Sequence, residues 1–300
     1  MIGEVTGIRR IRMLDLQLLY RCTFECQDCL HGARLQHAEA FTAEQAANLL
    51  TLMREEYGTE AVVLLGGEPF VHKDLMRVVR HAKQELGLQV EICTNGHRIE
   101  RPLTEIARYV DLLRISLEGT GSANGRIRKV GSFRSALRAL GFARELGVRT
   151  AATLTVTSRN IDEVPSLARA VQDLGGRELR LHCLQPLGHA ANHPDLLIAH
   201  SAAYARLRDQ LQEARLAIEV IVDEDRSEDG TPETRTPAGA PVEIERIEAD
   251  PRGALTMSCT AVGQESHAFW YDKLADRIVH RPTATGEFPR TVPDMVFSRA

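Results

Sequence analysis

An apolar run that leads directly into three closely spaced cysteines decides the fold class of this sequence. Residues 13–30 read MLDLQLLYRCTFECQDCL, and Met13–Tyr20 has the apolar composition of a buried strand. Cys22, Cys26 and Cys29 follow with the spacing C-x3-C-x2-C, so that one loop can wrap three thiolates around a metal centre. Thiolates select zinc or iron–sulfur clusters. The segment therefore predicts a metal centre just beyond the end of a strand.

Short apolar runs alternate with longer amphipathic segments over residues 1–188. Besides the first, strands are predicted at residues 61–65, 89–93, 112–117, 150–157 and 178–184. Helices, with apolar residues spaced three and four apart, are predicted at residues 42–56, 74–86, 103–109, 132–146 and 161–174. Repeated βα units imply an α/β fold with a parallel sheet, and the pattern leaves open an open doubly wound sheet or a partial barrel.

The chain changes character after Gly188. The elements expected there are a loop at 189–200, a helix at 202–216, a strand ending near Val220 and a long loop at 226–241. Three successive aromatic residues at 269–271 indicate that residues 255–280 pack back onto the main body. The predicted domains are a core at 1–188 and a substrate-binding, capping region at 189–300.

Composition and charge limit the classes of function. The 300 residues are 43% hydrophobic and 26% charged, which is ordinary for a protein that buries a sizeable core. The net charge is −4, but residues 201–250 contain 13 Asp or Glu against 6 Arg, a balance of −7. This distribution argues against nucleic acid as a partner and permits a cationic small-molecule substrate, although a charge run is also typical of a solvated surface.

Neither a membrane span nor an export signal is expected. No run of about 18 uncharged apolar residues occurs, and the start lacks an apolar stretch with a cleavage site, so the sequence predicts a cytoplasmic protein without a membrane partner. Six cysteines in 300 residues are too sparse for a disulfide scaffold. A reducing compartment favours metal-binding or catalytic thiols instead.

The absence of a fourth cysteine near the first three is informative. A structural zinc site needs four ligands, and His31 is the only local candidate, at an uncommon spacing two residues past Cys29. Three cysteines that bind three irons of a cluster would leave the fourth iron open to a small molecule. The sequence therefore favours a catalytic centre over a structural one.

The chain resembles the radical S-adenosylmethionine (SAM) enzymes over about its first 190 residues. Besides the three cysteines, Gly66-Gly67-Glu68-Pro69 closes the second strand, where family members bind the amino group of the methionyl moiety. Glycines permit close backbone approach at such a turn. The resemblance implies further SAM contacts from Thr94, Asn95, Ser116, Glu118, Arg128, Asn160 and Leu187.

Three positions depart from the family pattern. Asp28 stands where family members carry an aromatic residue, Glu118 replaces an Asp, and Asn124 stands at a His position, whereas Arg128 matches. The resemblance implies a partial (β/α)6 barrel with a C-terminal extension that caps its mouth. It also implies one [4Fe-4S] cluster held by the three cysteines, SAM, and a flavodoxin- or ferredoxin-type electron donor. Reductive cleavage of SAM would then supply a radical that abstracts hydrogen from C–H bonds.

Cys259 is the single cysteine after Gly188 and lies in the segment LTMSCTAVGQESHAF. One cysteine cannot hold a second cluster, but its S–H bond is weak enough to give a hydrogen atom to a carbon radical. The alternative is that this lone thiol is only a buried packing residue, as free cysteines often are. Together with the acidic segment, Cys259 makes the chain resemble the family's aminoglycoside epimerases, which implies that this thiol is catalytic.

The resemblance to aminoglycoside epimerases predicts a strongly cationic substrate. Its ammonium groups would bind carboxylates chosen from Asp223, Glu224, Asp225, Glu228 and Asp229. Two alternatives stay open. One is another radical SAM reaction, such as peptide epimerisation or modification, sugar rearrangement or dehydrogenation. The other is a non-enzymatic zinc-binding protein.

Overall fold

One curved sheet organises the chain. The computed structural model describes residues 2, 4, 8–198, 201–222, 242–256, 269–280 and 295–297. The strands within these residues are β1 Ile8–Gln17, β2 Ala61–Leu65, β3 Gln89–Thr94, β4 Leu112–Ser116, β5 Arg149–Val156, β6 Glu178–Cys183, β7 Glu219–Val222, β8 Val242–Ala249, β9 Ala254–Thr256, β10 Phe269–Asp272, β11 Arg277–His280 and β12 Met295–Phe297. Their order in the sheet is β11-β10-β9-β8-β1-β2-β3-β4-β5-β6-β7-β12.

The eight central strands, from β8 to β7, are all parallel to their neighbours. Antiparallel strands extend both edges: β9, β10 and β11 continue from β8, and β12 pairs with β7. The prediction of an α/β fold with a parallel sheet is confirmed, and all six predicted strands are present. The first begins at Ile8, earlier than expected, and ends at Gln17, earlier than Tyr20.

Helices follow most of the parallel strands. They are α1 Ala43–Tyr57, α2 Leu75–Arg80, α3 Glu100–Ile106, α4 Gly121–Ile127, α5 Ser132–Glu145, α6 Val164–Asp173 and α7 Ser201–Glu213. The first shows how local sequence sets the ends. Thr42 forms a capping box with Gln45, and Gly58 ends the helix with φ of 65°. No helix in the described ranges is long and apolar enough to cross a membrane.

The two faces of the sheet differ in chemistry. Leu14 and Leu16 on β1 are fully buried in the apolar core. The alternating residues Asp15 and Gln17 face the opposite side, as the two-residue period of a strand requires. The helix-covered face is therefore apolar, whereas the other face carries polar and charged side chains.

The sheet curves so that distant strands face one another. β1 and β6 are five strand spacings apart, which would be about 24 Å in a flat sheet. Burial raises the pKa of Asp15 on β1, yet charges on Arg180 and His182 of β6 oppose that rise. Charge effects of this kind act over roughly 10 Å or less. The polar face is therefore the concave interior of a partial barrel.

The sequence did not predict the strand β8, but it correctly predicted that the tail packs back onto the main body. β8 pairs in parallel with β1, with Asp15 opposite Glu248, although residues 242–249 are rich in acidic side chains. In the tail, Tyr271 stacks on Phe41 with ring centroids 6.2 Å apart, which confirms that this part packs back. The long loop expected at 226–241 lies outside the described residues.

Candidate active site

The last part of the loop with the three cysteines is held by two distant parts of the chain. The Gln27 N–H donates to the Ile127 carbonyl at 2.9 Å, and the His189 N–H donates to the Cys29 carbonyl at 2.8 Å. Because these bonds are between backbone atoms, they hold the path of the loop whatever its side chains are. The loop follows β1 and so lies at the carboxyl edge of the parallel strands, where α/β proteins bind ligands.

The turn after β2 packs directly against the chain that enters this loop. The Gly67 N–H donates to the Leu19 carbonyl at 2.8 Å, and the Glu68 N–H donates to the Arg21 carbonyl at 3.0 Å. Gly66 has φ of 139°, which side chains rarely tolerate. At Gly67 a Cβ would lie only 2.5 Å from the carbonyl carbon of Arg21. Both glycines are therefore required by close backbone approach.

Glu68 joins the ends of β2 and β3. Its carboxylate accepts hydrogen bonds from the Thr94 hydroxyl at 2.6 Å, the Asn95 N–H at 2.9 Å and the Phe70 N–H at 3.2 Å. Burial raises the pKa of Glu68, and the bonds from Thr94 and Asn95 oppose that rise. The Asn95 side-chain amide continues the network by donating to Thr23 Oγ1 at 3.0 Å within the cysteine loop.

The three thiols have surroundings that suit iron–sulfur ligation. Cys22 Sγ accepts from the Phe24 N–H at 3.4 Å, and backbone N–H groups of His31 and Gly32 lower the pKa of Cys29. Hydrogen bonds to sulfur are among the features that tune iron–sulfur clusters. Burial is the largest influence on all three thiols and raises each pKa, so metal binding must displace their protons.

The thiols are not gathered around one point. Among the residues that the structure describes, no three His, Cys, Asp or Glu side chains converge closely enough to hold a single metal ion. Besides burial, charge on Cys29 raises the pKa of Cys22, and charges on both raise that of Cys26, so the three thiols lie near one another, as a cluster in which each thiolate binds a different iron requires. Residues Cys22, Cys26 and Cys29 are the ones that would hold it.

A charged group of three side chains lies beside the cysteine loop. Arg128 Nη1 donates to Glu118 Oε1 at 3.1 Å, and the Thr155 N–H donates to Glu118 Oε2 at 2.8 Å. Asp28 is hydrogen-bonded to Glu118, and burial raises the pKa of both carboxyl groups. Arg128 Nε is buried and has no hydrogen-bond partner, so it is free to donate to an acceptor on a bound molecule.

The pattern that defines the Radical SAM superfamily matches residues 16–171, more than half of the chain. The protein is a radical SAM enzyme. Members of this superfamily use a [4Fe-4S] cluster and SAM, and the prediction of these two cofactors is confirmed. The match includes all three loop cysteines and the turn at residues 66–69.

Several proteins of known function are similar to this radical SAM enzyme. The Fe-coproporphyrin III synthase of Methanosarcina barkeri is 24% identical over 210 residues, covering 69% of this chain and 49% of that protein. The mycofactocin maturase MftC of Mycolicibacterium smegmatis is 30% identical over 203 residues, covering 66% and 51%. The PqqA peptide cyclase of Bradyrhizobium diazoefficiens is 25% identical, covering 69% and 57%. The chain thus spans about half the length of its first curated relatives.

Solved structures agree with the fold. SuiB of Streptococcus suis bound to SAM superposes with a TM-score of 0.73 and 15% identity, covering 88% of this chain and 64% of that one. The enzyme anSMEcpe with bound AdoMet gives a TM-score of 0.56 and 17% identity, covering 67% and 60%. At these identities the likeness shows a shared radical SAM fold.

Some residues predicted to contact SAM are engaged within the protein. Asn160 Oδ1 accepts from the Thr157 N–H at 2.7 Å, and its Nδ2 donates to the Thr155 carbonyl at 2.9 Å. Ser116 Oγ lies 3.8 Å from Cys93 Sγ, and the Leu187 N–H donates to the Gln185 carbonyl at 2.7 Å. These contacts hold the strand ends in place. The roles of these three residues in cofactor binding stay predictions.

Other predictions concern parts that the structure leaves undescribed. Cys259 lies outside the described residues, and so do the five acidic residues at 223–225, 228 and 229. Sequence reasoning also missed the polar barrel interior formed by Asp15, Gln17 and Glu248. The sequence did contain a sign of this polar interior. Asp15 and Gln17 interrupt an apolar run and are two residues apart, the spacing of side chains on one face of a strand.

Proposed function

We propose that this radical SAM enzyme inverts a carbon centre of a peptide substrate, with Cys259 as the hydrogen donor. The observation that carries its cofactor part is the hydrogen-bond network that joins the cysteine loop, the Gly66–Glu68 turn and Asn95. We further propose that residues 1–188 hold the cofactors and that residues 189–300 contribute to substrate binding.

The cofactors supply the reactive species, and the protein's residues hold the cofactors in place. With the cluster and SAM bound, reductive cleavage of SAM supplies a 5′-deoxyadenosyl radical that abstracts a hydrogen atom. We assign three irons to Cys22, Cys26 and Cys29. The Gly66–Glu68 turn would bind the SAM ammonium group, because Glu68 is a buried carboxylate there. The unpartnered Nε of Arg128 would donate to the SAM carboxylate.

Cys259 completes the proposed reaction. Its S–H bond breaks homolytically, and the hydrogen atom forms a new C–H bond on the opposite face of the substrate carbon. The sulfur is left one electron and one proton short. A flavodoxin- or ferredoxin-type donor supplies that electron and solvent supplies the proton, so the overall reaction is an epimerisation with no net redox change in the substrate.

The relatives support a peptide substrate. One is a PqqA peptide cyclase, and one solved structure shows SuiB bound to its precursor peptide SuiA. Cysteine content supports epimerisation over oxidation. Between Gly188 and Ala300 the sequence has only Cys259, too few thiols to bind a second cluster that would accept electrons.

An aminoglycoside is the second candidate substrate. Its support is the charge balance of −7 over residues 201–250, which suits a polyamine sugar. The single thiol and the acidic segment also resemble neomycin C epimerase, the basis on which the sequence predicted this substrate. The two candidates share the donor chemistry of Cys259 and differ only in the molecule that is bound.

Turnover in deuterated water tests the function. The reconstituted enzyme is incubated with SAM and reductant, and with either a panel of synthetic peptides or neomycin-type aminoglycosides. We expect one deuterium at the inverted carbon of a product from one panel. In Cys259→Ala and Cys259→Ser, formation of 5′-deoxyadenosine should persist while epimer formation stops. Unaltered turnover by these variants, or a product without solvent deuterium, would defeat the donor assignment.

A further inference from the structure

We propose that Asp15, Gln17 and Glu248 form a subsite inside the barrel that binds a primary ammonium group of the substrate. The subsite rests on the proposed function, since it assumes that a substrate lies inside the barrel. Asp15 and Gln17 lie on β1, and Glu248 lies opposite Asp15 on the parallel strand β8. Asp15 and Gln17 are on the concave face, because the alternating residues Leu14 and Leu16 are buried in the core. Glu248 is on the same face, because its neighbours Ile247 and Ala249 are buried in the core.

Two oxygen atoms in this group have no hydrogen-bond partner. Asp15 is 8% exposed and Gln17 is 1% exposed, yet Asp15 Oδ1 and Gln17 Oε1 are both buried without a donor. The Gln17 side-chain Nε2 donates to Glu248, which fixes the orientation of the amide and leaves its Oε1 without a donor. Buried acceptors that lack donors destabilise a fold, so a bound ligand that supplies donors to them is stabilised. That ligand must carry N–H or O–H donors.

The local charge selects a cation among such ligands. When both are ionised, Asp15 and Glu248 carry two negative charges, and Arg246, whose Nη1 lies 3.4 Å from Asp15 Oδ2, offsets one of them. The neighbouring cluster of charged side chains on the concave face has no net charge. It consists of Arg114 bonded to Glu91 and Glu178, with Arg180 3.5 Å from Glu178. One negative charge is left over at β1 and β8.

A primary ammonium group matches both requirements. It brings one positive charge and three N–H donors, enough for Asp15 Oδ1, Gln17 Oε1 and a share of a carboxylate. Two substrate types carry it: a lysine side chain in a peptide, and an amino group on an aminocyclitol. Asp15 and Gln17 precede the cysteine loop on β1, so the subsite lies deeper in the barrel than the SAM contacts at the strand ends.

Calorimetric binding to the reconstituted enzyme, with SAM present and no reductant, tests the subsite without turnover. The probes are matched pairs that differ in the ammonium group: N-acetyl-lysine amide against N-acetyl-norleucine amide, and 2-deoxystreptamine against scyllo-inositol. We expect one ammonium probe to bind at least tenfold more tightly than its neutral counterpart. Which pair shows the difference distinguishes the peptide from the aminocyclitol.

Variants locate the effect. Asp15→Asn and Gln17→Met should each weaken binding of that probe at least tenfold while SAM affinity stays within twofold. Glu245→Gln is the matched control, because Glu245 is exposed on the same strand β8 and pairs with exposed Arg12. It should leave both affinities unchanged. Thermal melting checks that each variant is folded, and the comparison of probes on the unmodified enzyme needs no variant at all.

Two results would overturn the subsite. One is equal binding of the ammonium and neutral probes by the unmodified enzyme. The other is a loss of SAM affinity in the Asp15 and Gln17 variants, which would assign these residues to the cofactor. Neither result depends on Cys259. Conversely, tight ammonium binding with no deuterium in any product would defeat the proposed epimerisation and leave the subsite standing.

Discussion

Replacing Gly67 with alanine should separate the cysteine loop from the turn after β2. An added Cβ would lie 2.5 Å from the carbonyl carbon of Arg21, whereas ordinary carbon–carbon contacts begin near 3.4 Å. The two backbones must therefore move apart by at least about 0.9 Å, since the carbonyl oxygens of Tyr20 and Arg21 would lie closer still to the added Cβ. Overpacking of this kind costs about 1–3 kcal/mol. The strained hydrogen bonds to Leu19 and Arg21 add about 1 kcal/mol each if they break.

The same movement should impair chemistry more than folding. A misplacement of about 1 Å between reacting groups can cost roughly 100-fold in rate. We therefore expect Gly67→Ala to lower the free energy of unfolding by about 3 kcal/mol. We also expect it to reduce the rate of 5′-deoxyadenosine formation by roughly 100-fold at saturating SAM.

The assay compares the variant with a matched glycine substitution. Gly141 lies in α5, and a Cβ there meets nothing within 4 Å, so Gly141→Ala should stabilise the protein by about 0.5–1 kcal/mol without changing the rate. Iron content, thermal melting and 5′-deoxyadenosine formation are measured for both. A Gly67→Ala protein that cleaves SAM at the normal rate would refute the close packing of turn and loop.

Three further perturbations test other parts of the account. Thr94→Val removes a donor to Glu68 and should raise the KM for SAM about tenfold with little change in kcat, whereas Thr94→Ser should restore it. Arg114→Met removes the guanidinium that pairs with Glu91 and Glu178, of which Glu178 keeps Arg180, and should lower the urea midpoint, by about 3–5 kcal/mol in unfolding free energy; an unchanged midpoint would contradict the buried pairing. Burial raises the pKa of Glu248 from 4.5 to about 7, so the folded chain keeps a proton there that the unfolded chain loses between these values. The unfolding free energy of the parent protein relative to Glu248→Gln should therefore fall by roughly 2 kcal/mol as pH rises from 5 to 7, and a pH-independent difference from urea titrations would count against it.

Local sequence patterns were enough to predict the first six strands, and they also supply the predicted cofactor residues. Each predicted strand is an apolar run of five to eight residues bounded by helical periodicity, and burial on the helix-covered face keeps such runs apolar. The cysteine spacing and the Gly66–Glu68 turn are contiguous in sequence. Their chemistry is therefore visible without knowledge of the fold.

Long-range pairing produced the features that the sequence concealed. β8 pairs with β1 although more than 200 residues separate the two strands in sequence. The charged residues of β8 resemble a solvated surface until the strand register that places Glu248 opposite Asp15 is known. Likewise, Asp28 is simply a departure from the family pattern in sequence. In the structure Asp28 is hydrogen-bonded to Glu118, which also accepts a hydrogen bond from Arg128. This contact depends on the packing of the cysteine loop against β4 and β5, which the sequence does not show.

Cleavage of SAM by the anaerobically reconstituted protein tests the central claim most directly. The protein is incubated with iron and sulfide, reduced with dithionite and given SAM. We expect one [4Fe-4S] cluster per chain with brown absorption, and equal amounts of 5′-deoxyadenosine and methionine, both abolished in Cys26→Ala. A colourless protein that holds no iron and leaves SAM intact would contradict the account.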